Sequence, residues 1–184
     1  TLEDFERKFM GTLWNTYAYY VLYAEIDKFD GTKHNIKDVK LSLMDKWIVS
    51  EFNKLVRDVD AYLANYVNTE PARLLNEFVD SLSNWYIRRS RRRFWKSEND
   101  SDKTEAYEAL YIALKTLCKV AAPFVPFITE EMYQNLKTSE DKESVHLCDY
   151  PEVNEKWLNQ ELEFKMATVQ KAVWHHTAEL QKEI

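Results

Sequence analysis

Glycine is the residue that this sequence most nearly lacks, with two among its 184 positions, Gly11 and Gly31. Phosphate-binding loops of the Rossmann and P-loop types need several closely spaced glycines, because their backbone approaches the phosphate where a side chain would not fit. Neither loop can be built from this chain. Few glycines and only four prolines, among abundant leucine, lysine, glutamate and aromatic residues, predict an all-α fold.

Cysteine is equally scarce, and long apolar runs are absent. Cys118 and Cys148 form no C-x-x-C motif, which fits a reduced, cytoplasmic compartment. No run of about 18 uncharged apolar residues occurs, so we expect neither a membrane span nor a membrane partner. The chain opens Thr-Leu-Glu-Asp, without the basic segment and apolar run of a secretory signal peptide. Its length predicts one domain over residues 1–184, which we expect to be monomeric.

Patterns typical of catalysis or metal binding are also missing. The only Glu-x-x-His motif, Glu143 to His146, falls in a predicted loop, whereas a di-iron helical bundle needs two such motifs on helices. His175 and His176 are adjacent on a predicted helix, so their side chains point about 100° apart and cannot hold one metal from one face. We therefore predict no catalytic residue, no metal site and no cofactor held by this chain.

Apolar residues recur at helical spacing and predict a bundle of about five helices, four long and one short. Four helix starts are predicted from capping residues: Thr1 with Asp4, Ser42 with Asp45, Thr69, and Asn154. The short helix is predicted to begin at Pro126 and to end near Leu136. Residues 145–148 are too few for a helix and are predicted to lie extended against the bundle.

One segment reverses the acidic character of the chain. The net charge is −6, yet residues 88–96 hold six cations and no anion, which leaves −12 for the rest. Trp85, Tyr86, Phe94 and Trp95 are interleaved with these cations. Basic residues among aromatics indicate a polyanion with exposed bases, as in RNA. The alternative is a solvated helix end with scattered ion pairs.

Helical spacing divides the side chains of this segment among several directions. The core-facing positions are Leu75, Val79, Leu82 and Tyr86. Trp85 lies about 90° to one side of them. Its surface strip holds Trp85, Arg88, Arg89, Arg92 and Lys96. This strip is the candidate binding surface, although a large aromatic at the edge of a core stripe is also commonly packed.

Arg93 falls on the core direction itself. We predict that Arg93 is structural and pairs with a carboxylate from another helix, because a cation facing a core needs a partner. Arg91 and Trp95 are predicted to point to the opposite side of the helix from the surface strip.

The string FVDSLSNWYIRRSRRRFW resembles the anticodon-binding helical domain of class I aminoacyl-tRNA synthetases, in particular their isoleucyl branch. Three further segments agree in order and spacing: FMGTLWNTYAYYVLYAEID, DKWIVSEFNKLVRDV, and AAPFVPFITEEMYQNL followed by SVHLCDYPE. The valyl and leucyl branches share part of this pattern. The resemblance covers about residues 5–172, and residues 173–184 depart from it as an atypical tail.

The resemblance implies a fragment of a larger ligase that charges tRNA in two steps with ATP and Mg²⁺. The catalytic motifs of that family, HIGH and KMSKS, are absent from this sequence. The implied partners are the anticodon stem-loop of isoleucine tRNA and the catalytic domain of the same parent chain. The alternatives are the equivalent domain of a valyl or leucyl enzyme, and a helical scaffold whose basic strip docks on an acidic protein surface.

The resemblance also assigns roles to residues. It implies that Trp85 stacks on an anticodon base and that Asn15 bonds base edges, with Tyr19 one helical turn further along. The remaining predicted RNA contacts come from the surface strip: Arg88, Arg89, Arg92 and Lys96. Against these roles, Asn15 can equally be an exposed helix residue without function.

Overall fold

The computed structural model describes residues 2–33, 41–96 and 101–180, with all side chains there except those of residues 2–7, 175 and 177–180. The α-helices are α1 (Leu2–Asp27), α2 (Leu43–Ala64), α3 (Thr69–Asp80), α4 (Arg88–Trp95), α5 (Ser101–Ala121), α6 (Pro126–Leu136) and α7 (Gln160–Leu180). A π-helical segment, Ser81–Ile87, joins α3 to α4 without a break. Over the described ranges the fold therefore has six helical rods and no strand, which confirms the all-α prediction, with one rod more than about five.

The predicted helix starts had mixed outcomes. Ser42 and Asp45 form the predicted capping box at α2: Ser42 Oγ accepts from the Asp45 amide at 3.3 Å, and Asp45 Oδ2 accepts from the Ser42 amide at 3.1 Å. The prediction for Thr69 was wrong, since it is the first residue of α3 and Asn68 precedes it without a side-chain cap. Thr1 lies outside the described residues.

The start of the last helix was also predicted wrongly. Asn154 caps a short 3-10 helix, Glu155–Trp157, instead of α7. The reason is that α2 holds this segment along its own surface: Asn53 Oδ1 accepts from the Asn154 amide at 2.8 Å, and Ser50 Oγ accepts from the Asn159 amide at 2.7 Å. Asn159 Oδ1 then accepts from the Leu162 amide at 3.0 Å, in the first turn of α7.

Residues 145–148 are not extended as predicted. Val145–Leu147 forms a 3-10 helix, because the Ser144 hydroxyl oxygen accepts from the His146 amide and caps the turn. Val145 is buried against the bundle, so the segment packs as expected although its backbone coils.

The core lies where α2, α5 and the long helix from Thr69 to Trp95 meet, with α1 covering one side. The four predicted core positions of the long helix are all buried: Leu75, Val79, Leu82 and Tyr86. Burial of each such side chain contributes about 1.5–3 kcal/mol relative to exposure. The long helix is therefore held in the bundle by its core-facing side, and its opposite side is exposed to solvent.

The π-helical segment lies in the middle of that long helix. The Arg88 amide donates to the Ser83 carbonyl, which is five residues earlier in the chain, whereas in an α-helix the acceptor is four residues earlier. Such segments carry one extra residue and often occur at functional sites. Here the segment contains Trp85, so it sets the direction of the indole relative to the arginines that follow.

None of the described helices combines the length and apolarity needed to cross a membrane. In the same part of the chain, no three His, Cys, Asp or Glu side chains gather in a way that could hold a metal ion.

Candidate nucleic-acid interface

Arg93 anchors α4 to the bundle. Its guanidinium makes a two-pronged ion pair with Asp45 of α2, Nη1 to Oδ1 at 2.7 Å and Nη2 to Oδ2 at 2.8 Å. At the start of α5, Nη2 also donates to the Asp102 carbonyl at 2.8 Å, and Nε lies 2.8 Å from Asp102 Oδ1. The pairing with a carboxylate from another helix is thus present, and it links three helices.

The Asp45 side chain that accepts these contacts is fully buried. The Tyr86 hydroxyl donates to Asp45 Oδ1 at 2.7 Å, in addition to the guanidinium and the capping-box amide. Burial alone would raise the pKa of Asp45, but the hydrogen bonds and charge of Arg93, with Tyr86 and Ser42, hold it below its ordinary value. Asp45 is therefore a carboxylate anion inside the fold, and it fixes the rotation of α4.

A groove lies on the other side of α4. It has a volume of about 680 Å³, and its lining consists of Asn84, Trp85, Arg88, Arg89, Arg92 and Val173. We call it the arginine groove. Trp85 is half-buried: it packs against the core and also lines the groove. Both readings of this side chain, core packing and exposure to a ligand, therefore apply in part.

The three arginines of the groove are exposed. In the part of the chain that the structure describes, no carboxylate lies within ion-pair distance of Arg88, Arg89 or Arg92. The Arg89 guanidinium lies over the Trp85 ring, with Cζ 4.4 Å from the ring centroid, in a cation–π contact. Among the described residues, three cations without a carboxylate partner thus lie beside an indole, an arrangement with the chemistry to hold a phosphate backbone next to an unstacked base.

Lys96 does not join this groove. Its Nζ lies 3.1 Å from Asp102 Oδ2, so it shares with Arg93 the carboxylate at the start of α5. Trp95 points to the opposite side, as predicted, and its Nε1 donates to the Tyr23 hydroxyl of α1 at 2.6 Å.

Tyr19 lies on the α1 side of α4. Its ring meets the edge of Phe94 at 5.4 Å and the ring of Tyr23 at 4.7 Å between centroids. Burial, and to a smaller extent Tyr23, raises the pKa of Tyr19. Its aromatic contacts account for the position of this side chain in the fold.

Asn15 is exposed on α1. Thr12 lines a shallow groove together with Asp80, and further along α1 Tyr23 meets Trp95. These contacts show that α1 runs in the same direction as the long helix, which places Asn15 beside the π-helical segment. Of the predicted RNA contacts, the structure thus gathers Trp85 and three arginines into one groove, whereas Asn15, Tyr19 and Lys96 lie outside it.

Two lining residues of the arginine groove were missed by sequence reasoning. Asn84 donates from Nδ2 to Asp80 Oδ1 at 2.7 Å. Its position directly before Trp85 in the sequence could have indicated that it borders the surface strip. Val173 comes from α7, where it continues the apolar stripe of that helix. No local pattern indicates that this stripe leaves the core and reaches the basic segment.

Residues 45–178 match the family model of the anticodon-binding domain of tRNA ligase. The chain belongs to this family. The arginine groove is therefore a feature of an anticodon-binding domain, and the resemblance stated from the sequence is confirmed at the level of the family.

Curated relatives narrow the comparison further. The chain is 49% identical over 176 residues to isoleucine–tRNA ligase of Clostridium tetani, covering 94% of this chain and 17% of that protein. It is 53% identical over 171 residues to isoleucine–tRNA ligase of Treponema denticola, covering 87% of this chain and 16% of that protein. The anticodon-binding domain described here thus spans about a sixth of the length of these relatives.

Proposed function

We propose that this chain recognises the anticodon stem-loop of an isoleucine tRNA, as one domain of a longer, ATP-dependent isoleucine–tRNA ligase. The observation that carries the proposal is the arginine groove, in which Arg88, Arg89 and Arg92 lie beside the Trp85 indole with no carboxylate partner among the described residues. Membership of the anticodon-binding family and about 50% identity to isoleucine–tRNA ligases support the choice of RNA and of amino acid.

Each part of the groove contributes a different interaction with the RNA. The arginines contact consecutive phosphates, and each contact releases a counterion from the strand. Trp85 and the Arg89 guanidinium that lies over it form a stacking platform, because both indole and guanidinium planes stack on bases. The acidic remainder of the chain repels RNA elsewhere, so the groove also orients the docking.

Asn15 reads a base edge in this proposal, because its exposed amide offers both donors and an acceptor beside the π-helical segment. Contacts from Tyr19 and Lys96 to the RNA stay predictions. Both side chains would have to reach the RNA while keeping their present neighbours, Phe94 for Tyr19 and Asp102 for Lys96.

The remaining parts of the proposal concern the longer protein. ATP and Mg²⁺ are bound and used by a catalytic domain outside this chain, and that domain is a further partner of the bundle. We propose that the protein acts as a monomer in the cytoplasm, where its thiols Cys118 and Cys148 remain free, as they are here.

The deciding experiment is a titration of the chain with three anticodon stem-loops that share one stem and carry the isoleucine, valine or leucine anticodon. We expect the tightest binding for the isoleucine stem-loop. Preference for another anticodon would move the chain to the valyl or leucyl branch. Equal affinities would refute base readout and leave docking on an acidic protein surface as the use of the arginines.

A pair of tryptophan variants tests the stacking platform. Trp85→Ala should weaken stem-loop binding by about 1–3 kcal/mol, the value of one base–aromatic stack. Trp95→Ala is the matched control, since Trp95 lies on the same helical rod but points away from the groove. Circular dichroism should show a folded bundle for both; unfolding of Trp85→Ala alone would identify Trp85 as a core residue only.

A further inference from the structure

The arginine groove has a second wall, and that wall comes from the last helix. Val173 of α7 lines the groove together with Trp85, Arg88 and Arg92 of the long helix. Three residues earlier, Gln170 lines a separate groove with Leu55 of α2 and further residues of α2 and α3. The helix therefore crosses from α2 over α3 and arrives beside α4 at Val173.

The first turns of α7 fix this path. Ser50 of α2 donates a hydrogen bond to the carboxylate of Glu163, and Lys54 Nζ lies 3.8 Å from the same carboxylate. Leu162 is buried, and Met166, one turn later, packs on the core. With its first half held in this way, a helix positions the residues of its next two turns, because the backbone hydrogen bonds continue through them.

The two walls of the groove have different chemistry. One wall holds three guanidinium groups and an indole, whereas the α7 wall offers the apolar side chain of Val173. A volume of about 680 Å³ lies within the range of small-ligand sites. An unstacked nucleotide has the matching pair of surfaces, a phosphate for the cations and a base with an apolar face for the aromatic and aliphatic side chains.

We propose that α7 completes the nucleotide site, with Val173 closing over the base that stacks on Trp85 and Arg89. The inference rests on the proposed function and deepens it, since it assigns a residue of the atypical tail to the RNA site. Val173 is a positioning and size-selecting residue: it limits the depth that a base can occupy between the two walls and keeps that base against the platform.

The test compares two substitutions on α7 that introduce the same charge. Val173→Glu places an anion opposite the arginines and removes the apolar contact, so we expect stem-loop affinity to fall about tenfold or more. Val169→Glu is the matched control: Val169 is also exposed on α7 but does not line the groove. Its effect should be clearly smaller than that of Val173→Glu, since the added charge lies one helical turn further from the groove and does not contact it.

A fluorescent purine placed at each loop position in turn gives a readout that a general charge effect would not move. In the wild-type chain, one position should lose fluorescence on stacking, and Trp85→Ala should restore it. Val173→Glu and the milder Val173→Ala should both reduce the quenching at that same position, whereas Val169→Glu should leave it unchanged.

The outcomes separate the inference from the proposed function. Quenching that depends on Trp85 and is unchanged in both Val173 variants would overturn the second wall and leave anticodon binding intact. Equal loss of affinity in Val173→Glu and Val169→Glu would overturn it as well. Failure of the wild-type chain to bind any of the stem-loops would instead refute the proposed function itself.

Discussion

The two sides of α4 use the same side chain for opposite purposes. Arg92 is exposed, lines the arginine groove and has no carboxylate near it among the described residues. Arg93, the next residue, has 13% of its side chain exposed and is bonded to Asp45 and Asp102. The difference teaches that charge density along a sequence does not identify a binding surface. The side of the helix, and the partner found there, decide whether an arginine serves folding or is available to a ligand.

The largest effect should come from the buried side of the comparison. Arg93→Met removes the cation and leaves the Asp45 carboxylate buried without a charge partner. We expect the free energy of unfolding, measured with urea, to fall by about 3–5 kcal/mol. Arg92→Met is the control and should change it by less than about 0.5 kcal/mol. Similar losses in both variants would break the comparison.

The exposed side should show the reverse pattern. Substitution of Arg88, Arg89 and Arg92 together by Gln should leave stability nearly unchanged while weakening RNA binding. The slope of log affinity against log salt should decrease by about 2, from about 0.7 for each phosphate contact on a single strand. Arg91→Gln, a charge removal on the other side of the helix, should leave the slope almost unaltered. An unchanged slope in the triple variant would exclude these arginines as phosphate ligands.

A pH titration sharpens the same contrast. Because the folded-state pKa of Asp45 is lowered, its ion pair contributes stability that is present above the unfolded value of about 3.9 and is lost as pH falls through the folded value. The free energy of unfolding should therefore decrease with falling pH below about 4. Asp45→Asn should start less stable at neutral pH and lose less on acidification. An equally steep acid loss in that variant would assign it to other carboxylates, such as Asp141, whose pKa is also lowered despite burial, by Lys115 and Thr138.

The smallest effect is expected at Lys96, which lies between the two sides. Its exposed ion pair with Asp102 should contribute about 0–1 kcal/mol to stability. Lys96→Ala should also reduce RNA affinity less than Arg92→Ala does, because its charge is already partly compensated. A larger loss of affinity for Lys96→Ala, measured in the same titration, would place Lys96 in the RNA site and extend the groove along α4.

Much of this arrangement could be predicted from the sequence, because it depends on local spacing. The helical repeat separated Arg93 from Arg92, and the pairing of Arg93 needed only the rule that a core-facing cation finds a carboxylate. The capping box of Ser42 and Asp45 was likewise readable from the motif. The sequence did not reveal that the same Asp45 also pairs with Arg93, since the two residues are distant in sequence.

The parts that escaped prediction depend on how distant elements meet. Asn154 looked like a helix cap, but Asn53 and Ser50 of α2 hold the following segment and delay the start of α7. Val173 continued an apolar stripe, and only the crossing of α7 over α3 brings it to the groove. The π-helical segment has no sequence signature that the periodicity revealed.

That segment also makes the place of a length change in the long helix matter. A π-helical turn holds one residue more than the α-helical turn that it replaces. Deletion of one residue within 81–87 would therefore let the long helix continue as a regular α-helix, with Arg93 and the groove arginines close to their present directions. Deletion of one residue between Arg88 and Arg93, where the helix is regular, would instead turn Arg93 by about 100° away from Asp45. A single-residue deletion should thus be tolerated better in the π-helical segment than in α4.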